Sequence, residues 1–233
     1  MNKVLVFTAT YNEKANIEDL LNKILSLNLD LDIYVIDDNS PDKTNEILKF
    51  FSKKYKNIFF KVRPEKLGLD SAHKEAFKYA VNKGYEVLIT MDADLSHDPN
   101  DITLFLNEIK KNDFVIGSRY MKGGKNNMKI SRYLLSFFGN KLIKFLFNIK
   151  EIDEYTTSYR CIRVEKLKSI NINEIEAKGY SFFMNCIHYF HKNNFKISQV
   201  PIIFSDRKTG KSKIPKIEIL RTLFNLVILK LRK

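Results

Sequence analysis

The stretch Val87-Leu88-Ile89-Thr90-Met91-Asp92-Ala93-Asp94 decides the fold. An apolar run this short, closed by polar turn residues, reads as a strand, and two carboxylates stand just beyond its end. Outward from it, similar runs occur at 4–8, 33–36, 58–62 and 114–116, with helical spacing at 15–27, 44–55, 71–82 and 100–110. Strands alternating with helices imply a parallel α/β sheet with right-handed crossovers. Such sheets bind ligands beyond the carboxyl ends of their strands. The second strand also ends in acids, Asp37 and Asp38.

The rest of the chain has another character. A basic helix is expected over 132–147, strand-like runs at 156–162 and 195–204, a helix over 181–191, a polar basic loop around Gly210, and a terminal amphipathic helix. With 233 residues, 44% of them hydrophobic, one substantial core is expected. We divide the chain into one domain over 1–212, with an alternating α/β half over 1–117 and a second half over 118–212, and a surface helix over 213–233.

Cys161 and Cys186 follow no metal-ligand or redox spacing, and the N-terminus lacks a signal-peptide pattern. That reads as cytosolic, with reduced thiols. The net charge is +13, and residues 119–150 hold eight Lys or Arg and no acid. Residues 205–233 hold nine against Asp206 and Glu218, which leaves −2 on the remainder. Both basic segments are also apolar at helical spacing. Arg221, Asn225 and Lys230 interrupt the second, so it falls short of the roughly 18 apolar residues of a membrane span. Basic amphipathic helices without a span point to a protein lying on an anionic membrane surface. Core helices with solvated lysines explain the pattern equally well. Nucleic-acid binding ranks last, because no RNA-binding motif occurs and the basic segments are apolar.

An Asp-x-Asp turn at a strand end can hold a hard divalent cation shared with substrate phosphates, which suits a nucleoside diphosphate donor. Six stretches then carry a family resemblance. They are Thr10-Tyr11-Asn12-Glu13, Ile36-Asp37-Asp38-Asn39-Ser40-Pro41-Asp42, Lys66-Leu67-Gly68-Leu69, Met91-Asp92-Ala93-Asp94-Leu95-Ser96-His97, Gly117-Ser118-Arg119-Tyr120 and Gly210-Lys211-Ser212-Lys213. The chain resembles the family 2 glycosyltransferases of the GT-A fold, and among them most the dolichol-phosphate mannosyltransferases and other polyprenol-phosphate glycosyltransferases. The Asp-Ala-Asp-Leu-Ser-His run with the late Gly-Lys-Ser-Lys is the specific part.

The resemblance implies inverting transfer of a hexose, mannose from GDP-mannose before glucose from UDP-glucose, to dolichyl or polyprenyl phosphate. It also implies Mg2+ or Mn2+ as cofactor and a peripheral place on the cytoplasmic face of a membrane, with a membrane-embedded partner subunit conceivable. By the same resemblance Ala9, Tyr11, Glu13, Ile36 and Asp38 line the nucleoside site, and Asp92, Ala93 and Asp94 face the donor. Asp92, Asp94 and Ser96 would hold the metal, and Arg207 and Lys213 the diphosphate. Arg119, Arg132 and Ser136 stand where relatives bind the acceptor phosphate, and with Asp94 they form the candidate catalytic set. The four-residue step from Arg132 to Ser136 puts both on one helical face.

Several positions depart from the family pattern. Ala9 replaces a Pro, Asp70 a Gly, and Asn185 a Glu. Glu154-Tyr155-Thr156-Thr157-Ser158-Tyr159-Arg160 begins with Glu where the family has Asp, an acid that Asp153 is expected to supply with a one-residue shift. His97 reads as lying behind the metal ligands, because oxygen donors suit magnesium better than imidazole. His73, His188 and His191 read as ordinary helix-face residues. An acceptor phosphate is already an anion, so no protein base is assigned. Two rivals stay open. One is a hydroxyl acceptor, requiring a carboxylate base such as Asp153 or Glu154; the other is a non-catalytic lipid- or nucleotide-binding subunit.

Overall fold

The computed structural model describes residues 3–175, 179 and 181–205. The helix expected over 213–233 lies outside them, as do Arg207 and Lys213. The chain begins as a regular alternation of β1 (Val4–Thr10), α1 (Lys14–Ser26), β2 (Leu31–Asp37), α2 (Thr44–Lys54), β3 (Ile58–Val62), α3 (Leu69–Asn82) and β4 (Val87–Thr90). A 3₁₀ turn, Pro99–Asp101, opens α4 (Ile102–Glu108), and β5 (Phe114–Ser118) follows. Then come β6 (Lys125–Asn127), α5 (Ile130–Phe147), β7 (Arg160–Arg163), α6 (Val164–Lys168), α7 (Ser181–Lys192), β8 (Ile197–Pro201) and β9 (Ile203–Ser205).

The first four strands pair in parallel, as their alternation with helices requires. Beyond β4 the sheet departs from the expected all-parallel arrangement. Strand β7 inserts antiparallel between β4 and β5, and β8 pairs parallel with the far side of β5. The order is β3-β2-β1-β4-β7-β5-β8, so strands from both halves of the chain share one sheet. β7 is shorter than the run at 156–162 because Thr156, Thr157 and Ser158 turn their hydroxyls to other partners. Thr156 Oγ1 donates to Glu154, Ser158 Oγ donates to Asp92, and Thr157 Oγ1 accepts from the Tyr159 N–H. Local side-chain hydrogen bonds of this kind compete with a ladder.

Period-two alternation builds two cores, one on each face of the sheet. Leu5, Phe7, Tyr34, Ile36 and Leu88 face α3, α6 and α7, whereas Val4, Val6, Ile33, Val35 and Ile89 face α1, α2 and α4. Helix α1 buries Ile17, Leu20, Leu21 and Ile24, one stripe at helical spacing. Truncating a fully buried member such as Leu20 costs about 2–5 kcal/mol. Helix α5 differs sharply. Of its 18 residues only Asn140 and Ile143 are buried, while Ile130, Phe138 and Phe145 are 71%, 64% and 77% exposed. Among the described residues no helix is long and apolar enough to cross a membrane.

Candidate active site

The carboxyl ends of β1, β2 and β4 converge, and each contributes a polar turn. Asp37, wholly buried, accepts from Thr10 Oγ1 at 2.8 Å and from the Ser40 N–H at 2.9 Å, which pins the ends of β1 and β2 together. Asp38 faces the other way. Its Oδ2 accepts from the Gly68 N–H at 3.0 Å, and its Oδ1 pairs with the buried guanidinium of Arg63. Arg63 also donates to Ser71 Oγ at 2.6 Å and to the Gly68 carbonyl at 2.9 Å. Arg63 was not among the residues read from the sequence, though its place at the close of β3, level with an acidic strand end, is a usable signal. The pair folds the 64–68 loop over the β2 turn and brings Lys66 Nζ to 4.0 Å from the centre of the Tyr11 ring.

Glu13 is nearly buried and accepts from Asn16 Nδ2 at 2.7 Å, while its N–H donates to Thr44 Oγ1. Ala9 and Ile36 are cross-strand partners in the β1–β2 register, and the Ile36 side chain belongs to the core. Of the departures noted above, Asp70 has a structural use: its Oδ1 accepts from the Gly179 N–H at 3.1 Å, tying α3 to the turn before α7.

The Asp92–Ser96 turn has a strained centre. Leu95 takes a left-handed backbone (φ 62°), which turns the Ser96 N–H back onto Asp94 Oδ1 at 3.1 Å. A bulky residue pays about 1–2 kcal/mol for that conformation. Asp92 Oδ1 accepts from Ser158 Oγ at 2.6 Å, and its N–H donates to His97 Nδ1 at 3.1 Å. The proton of His97 therefore lies on Nε2, facing Thr157 Oγ1 at 3.4 Å. Burial, the largest influence, lowers the His97 pKa, so the ring is neutral at pH 7 and supports the turn from behind. Ser96 Oγ is buried with no hydrogen-bond partner among the described residues. A lone hydroxyl beside two carboxylates on one turn fits a hard divalent cation. No cluster of three or more His, Cys, Asp or Glu able to hold a metal occurs among the described residues, so a cation here would share its shell with substrate oxygens.

Across the sheet, at the end of β5, Arg119 is almost buried. Its Nε donates to Glu154 Oε2 at 2.7 Å and its Nη2 to Glu154 Oε1 at 2.9 Å and Thr156 Oγ1 at 2.8 Å. Burial alone would raise the Glu154 pKa; the Arg119 charge and the hydrogen bonds from Arg119 and Thr156 outweigh it, and the net shift is downward. Of the two acids in this segment, Glu154 is the one that meets Arg119, whereas Asp153 is half-buried and pairs with Lys144 at 2.8 Å. Ser136 accepts from Tyr120 Oη at 2.7 Å, so the chain neighbour of Arg119 grips the α5 face that carries Arg132, an exposed residue. Asn140 is structural: it is buried and accepts from the Tyr155 N–H at 2.7 Å. Arg160, also unforeseen, is buried and donates to the carbonyls of Tyr155, Thr157 and Phe183, which sets the 155–157 turn. Of the other histidines, His73 lies on α3, on the face buried against Phe7 and Phe183.

Residues 5–170 match the family described as Glycosyl transferase family 2. The chain belongs to glycosyl transferase family 2. It is thus a glycosyltransferase, and its α/β sheet is the GT-A fold of that family. An undecaprenyl-phosphate mannosyltransferase from Micrococcus luteus is 32% identical over 213 residues, 91% of this chain and 87% of that one. Two solved structures share the fold. Glucosyl-3-phosphoglycerate synthase from Mycobacterium tuberculosis, solved with Mn2+ and UDP, superposes with TM-score 0.70 at 15% identity, covering 98% of this chain and 80% of that one. A mannosyltransferase from Pyrobaculum calidifontis, solved with GDP-Man and Mn2+, gives TM-score 0.62 at 14% identity over 98% and 71%. In the glycosyltransferase frame, the Asp38 and Asp92–Ser96 turns occupy the carboxyl ends of β2 and β4, and the Arg119–Glu154 pair the end of β5.

Proposed function

We propose that this enzyme transfers mannose from GDP-mannose to a polyprenyl or dolichyl phosphate, with inversion, at a membrane surface. The observation that carries the acceptor class is the state of Glu154. A hydroxyl acceptor needs a carboxylate to take its proton. Glu154 is wholly buried, held in a two-pronged pair with Arg119 and more acidic than usual, and Asp153 is paired with Lys144. Neither is placed to be that base. A phosphate acceptor arrives as an anion and needs none. Mannose is favoured by the activity named for the Micrococcus luteus relative and guanosine by the donor in the Pyrobaculum calidifontis structure.

In this reading Asp38, set by Arg63, accepts hydrogen bonds from the nucleoside, and Tyr11 with Lys66 borders the base. Asp92, Asp94 and Ser96 would hold Mg2+ or Mn2+. When bound, that cation supplies Lewis-acid stabilisation of the charge that develops on the departing diphosphate. Arg207 and Lys213, outside the described residues, would add positive charge there. Arg119 and Arg132, with Ser136, hold the acceptor phosphate in line with the anomeric carbon, and positioning of this kind is the main rate contribution available without a base. One displacement inverts the centre. The exposed apolar side of α5, flanked by Lys129, Lys141 and Lys144, would rest on the membrane.

The test is transfer from radiolabelled GDP-mannose, with UDP-glucose in parallel, to polyprenyl phosphate and to the matching polyprenol. Label in the phosphate product alone, with inverted anomeric configuration by NMR, supports the reading. Equal transfer to the alcohol sinks it.

A further inference from the structure

Phe204 lies on β9, three residues before Arg207, and it touches both sides of the site. Its ring meets the His97 ring edge-on, 5.7 Å between centroids at 70°. The Arg119 guanidinium carbon stands 5.0 Å from its centroid and 5.2 Å from that of Tyr120, so the cation contacts two aromatic rings. The strand itself is anchored at the metal turn, because the Ser205 N–H donates to the Ser96 carbonyl at 3.2 Å. On the other side, β9 pairs in parallel with β6, placing Phe204 opposite Asn126. One short strand thus connects the turn of Asp94 and Ser96, the ring behind Asp92, and the arginine of the acceptor side.

These contacts differ in what they constrain. The Glu154 fork fixes Arg119 within the guanidinium plane. It leaves rotation out of that plane to other neighbours, and the Tyr120 and Phe204 rings are both within cation–π distance. His97 has separate supports in Asp92, Thr157 and the Tyr159 ring at 4.9 Å, so it depends less on Phe204.

We infer that Phe204 is a positioning residue that sets the tilt of Arg119, and through it the place of the acceptor phosphate, relative to the Asp92–Ser96 turn. The inference rests on the functional reading above. Losing the ring that a desolvated cation faces corresponds to about tenfold in rate where that cation positions a substrate. Leu at this position keeps apolar bulk but removes the ring; Tyr keeps the ring.

The experiment measures kcat and KM for polyprenyl phosphate and the calorimetric Kd for GDP-mannose, using wild type, Phe204→Leu, Phe204→Tyr, Arg119→Lys and the double variant Phe204→Leu/Arg119→Lys. Melting curves confirm that each variant folds. Phe204→Leu should lower kcat/KM for the acceptor by about tenfold with donor Kd within about twofold, and Phe204→Tyr should restore it. In the Arg119→Lys background, Phe204→Leu should cost less than about twofold, because the group it acts through is already changed. Independent, multiplicative losses overturn the inference, as does an equal loss of donor affinity or a failure of Tyr to rescue. A wild-type enzyme that transfers no sugar to polyprenyl phosphate overturns the functional reading itself, and the two failures are therefore told apart.

Discussion

Arg119 and Glu154 meet in a two-pronged pair, 2.7 Å and 2.9 Å, between the end of β5 and the segment leading into β7. Removing the charge from one partner leaves the other buried and uncompensated, which costs about 3–5 kcal/mol. Glu154→Gln should therefore lower the melting temperature and reduce acceptor kcat/KM by roughly 10²-fold through misplacement of Arg119. The pH dependence has a definite sign. Since the folded pKa of Glu154 lies below its ordinary 4.5, the pair's contribution is complete above that value and is lost as pH falls through the folded value. Wild type should lose stability below pH 4.5 more steeply than Glu154→Gln; parallel melting curves down to pH 3 would contradict this.

Arg63 makes a second case of the same physics at the end of β2, where it pairs with Asp38. Arg63→Ala strands the Asp38 carboxylate, which is 6% exposed, and unties the 64–68 loop that Gly68 joins to it. GDP-mannose affinity should fall at least tenfold with a stability loss of about 3 kcal/mol, and Arg63→Lys should recover part of both. Calorimetry giving wild-type donor affinity for Arg63→Ala would remove Asp38 from the nucleoside site.

If the Asp92–Ser96 turn holds the cation as proposed, chelation should abolish transfer and Mg2+ or Mn2+ should restore it, with Asp94→Asn folded but inactive. Ser96→Ala is more discriminating. Its hydroxyl has no partner among the described residues, so losing it should change the melting temperature little while raising the metal concentration for half-maximal activity several-fold. An unchanged metal requirement would place Ser96 outside the shell.

Membrane attachment should show in liposome sedimentation. Each Lys or Arg near an anionic leaflet contributes roughly 1 kcal/mol, so binding to anionic vesicles should be strong at low salt and partly released at high salt. The double change Phe138→Glu and Phe145→Glu should abolish the salt-resistant fraction, because both side chains are largely exposed on α5. Truncation after Pro215 should weaken binding while sparing the sheet. Indifference to vesicles at every salt concentration would leave α5 to a protein partner.

The parts of the fold legible in the sequence are those set by local periodicity. β1 to β5 and α1 to α3 fall within a few residues of their expected places, because period-two and 3.6-residue patterns are written in consecutive positions. The insertion of β7 was not legible: nothing within Arg160–Arg163 states which distant strands it joins. At the site, Asp38 follows β2, Asp92 and Asp94 follow β4, and Arg119 follows β5, strands that β1 and β7 separate in the sheet. Their partners were harder to see. Glu154 reads as a possible base because a sequence does not display the cation facing a carboxylate, and Phe204 reads as one more apolar residue in a strand. The roles of Arg207 and Lys213 rest on the resemblance alone.

The antiparallel β7 also bears on how this protein is born. Strand β5 pairs only with β7 and β8, both supplied by residues beyond 159. A nascent chain that has emerged through residue 118 can join β1 to β4, but β5 waits without a neighbour until about 40 more residues have left the ribosome. Such long-range closure makes folding slow and leaves the edge of β4 open meanwhile. Hydrogen exchange during refolding should accordingly protect β1 and β2 first and β5 last. A synonymous change that slows translation between β5 and β7 should increase aggregation rather than relieve it.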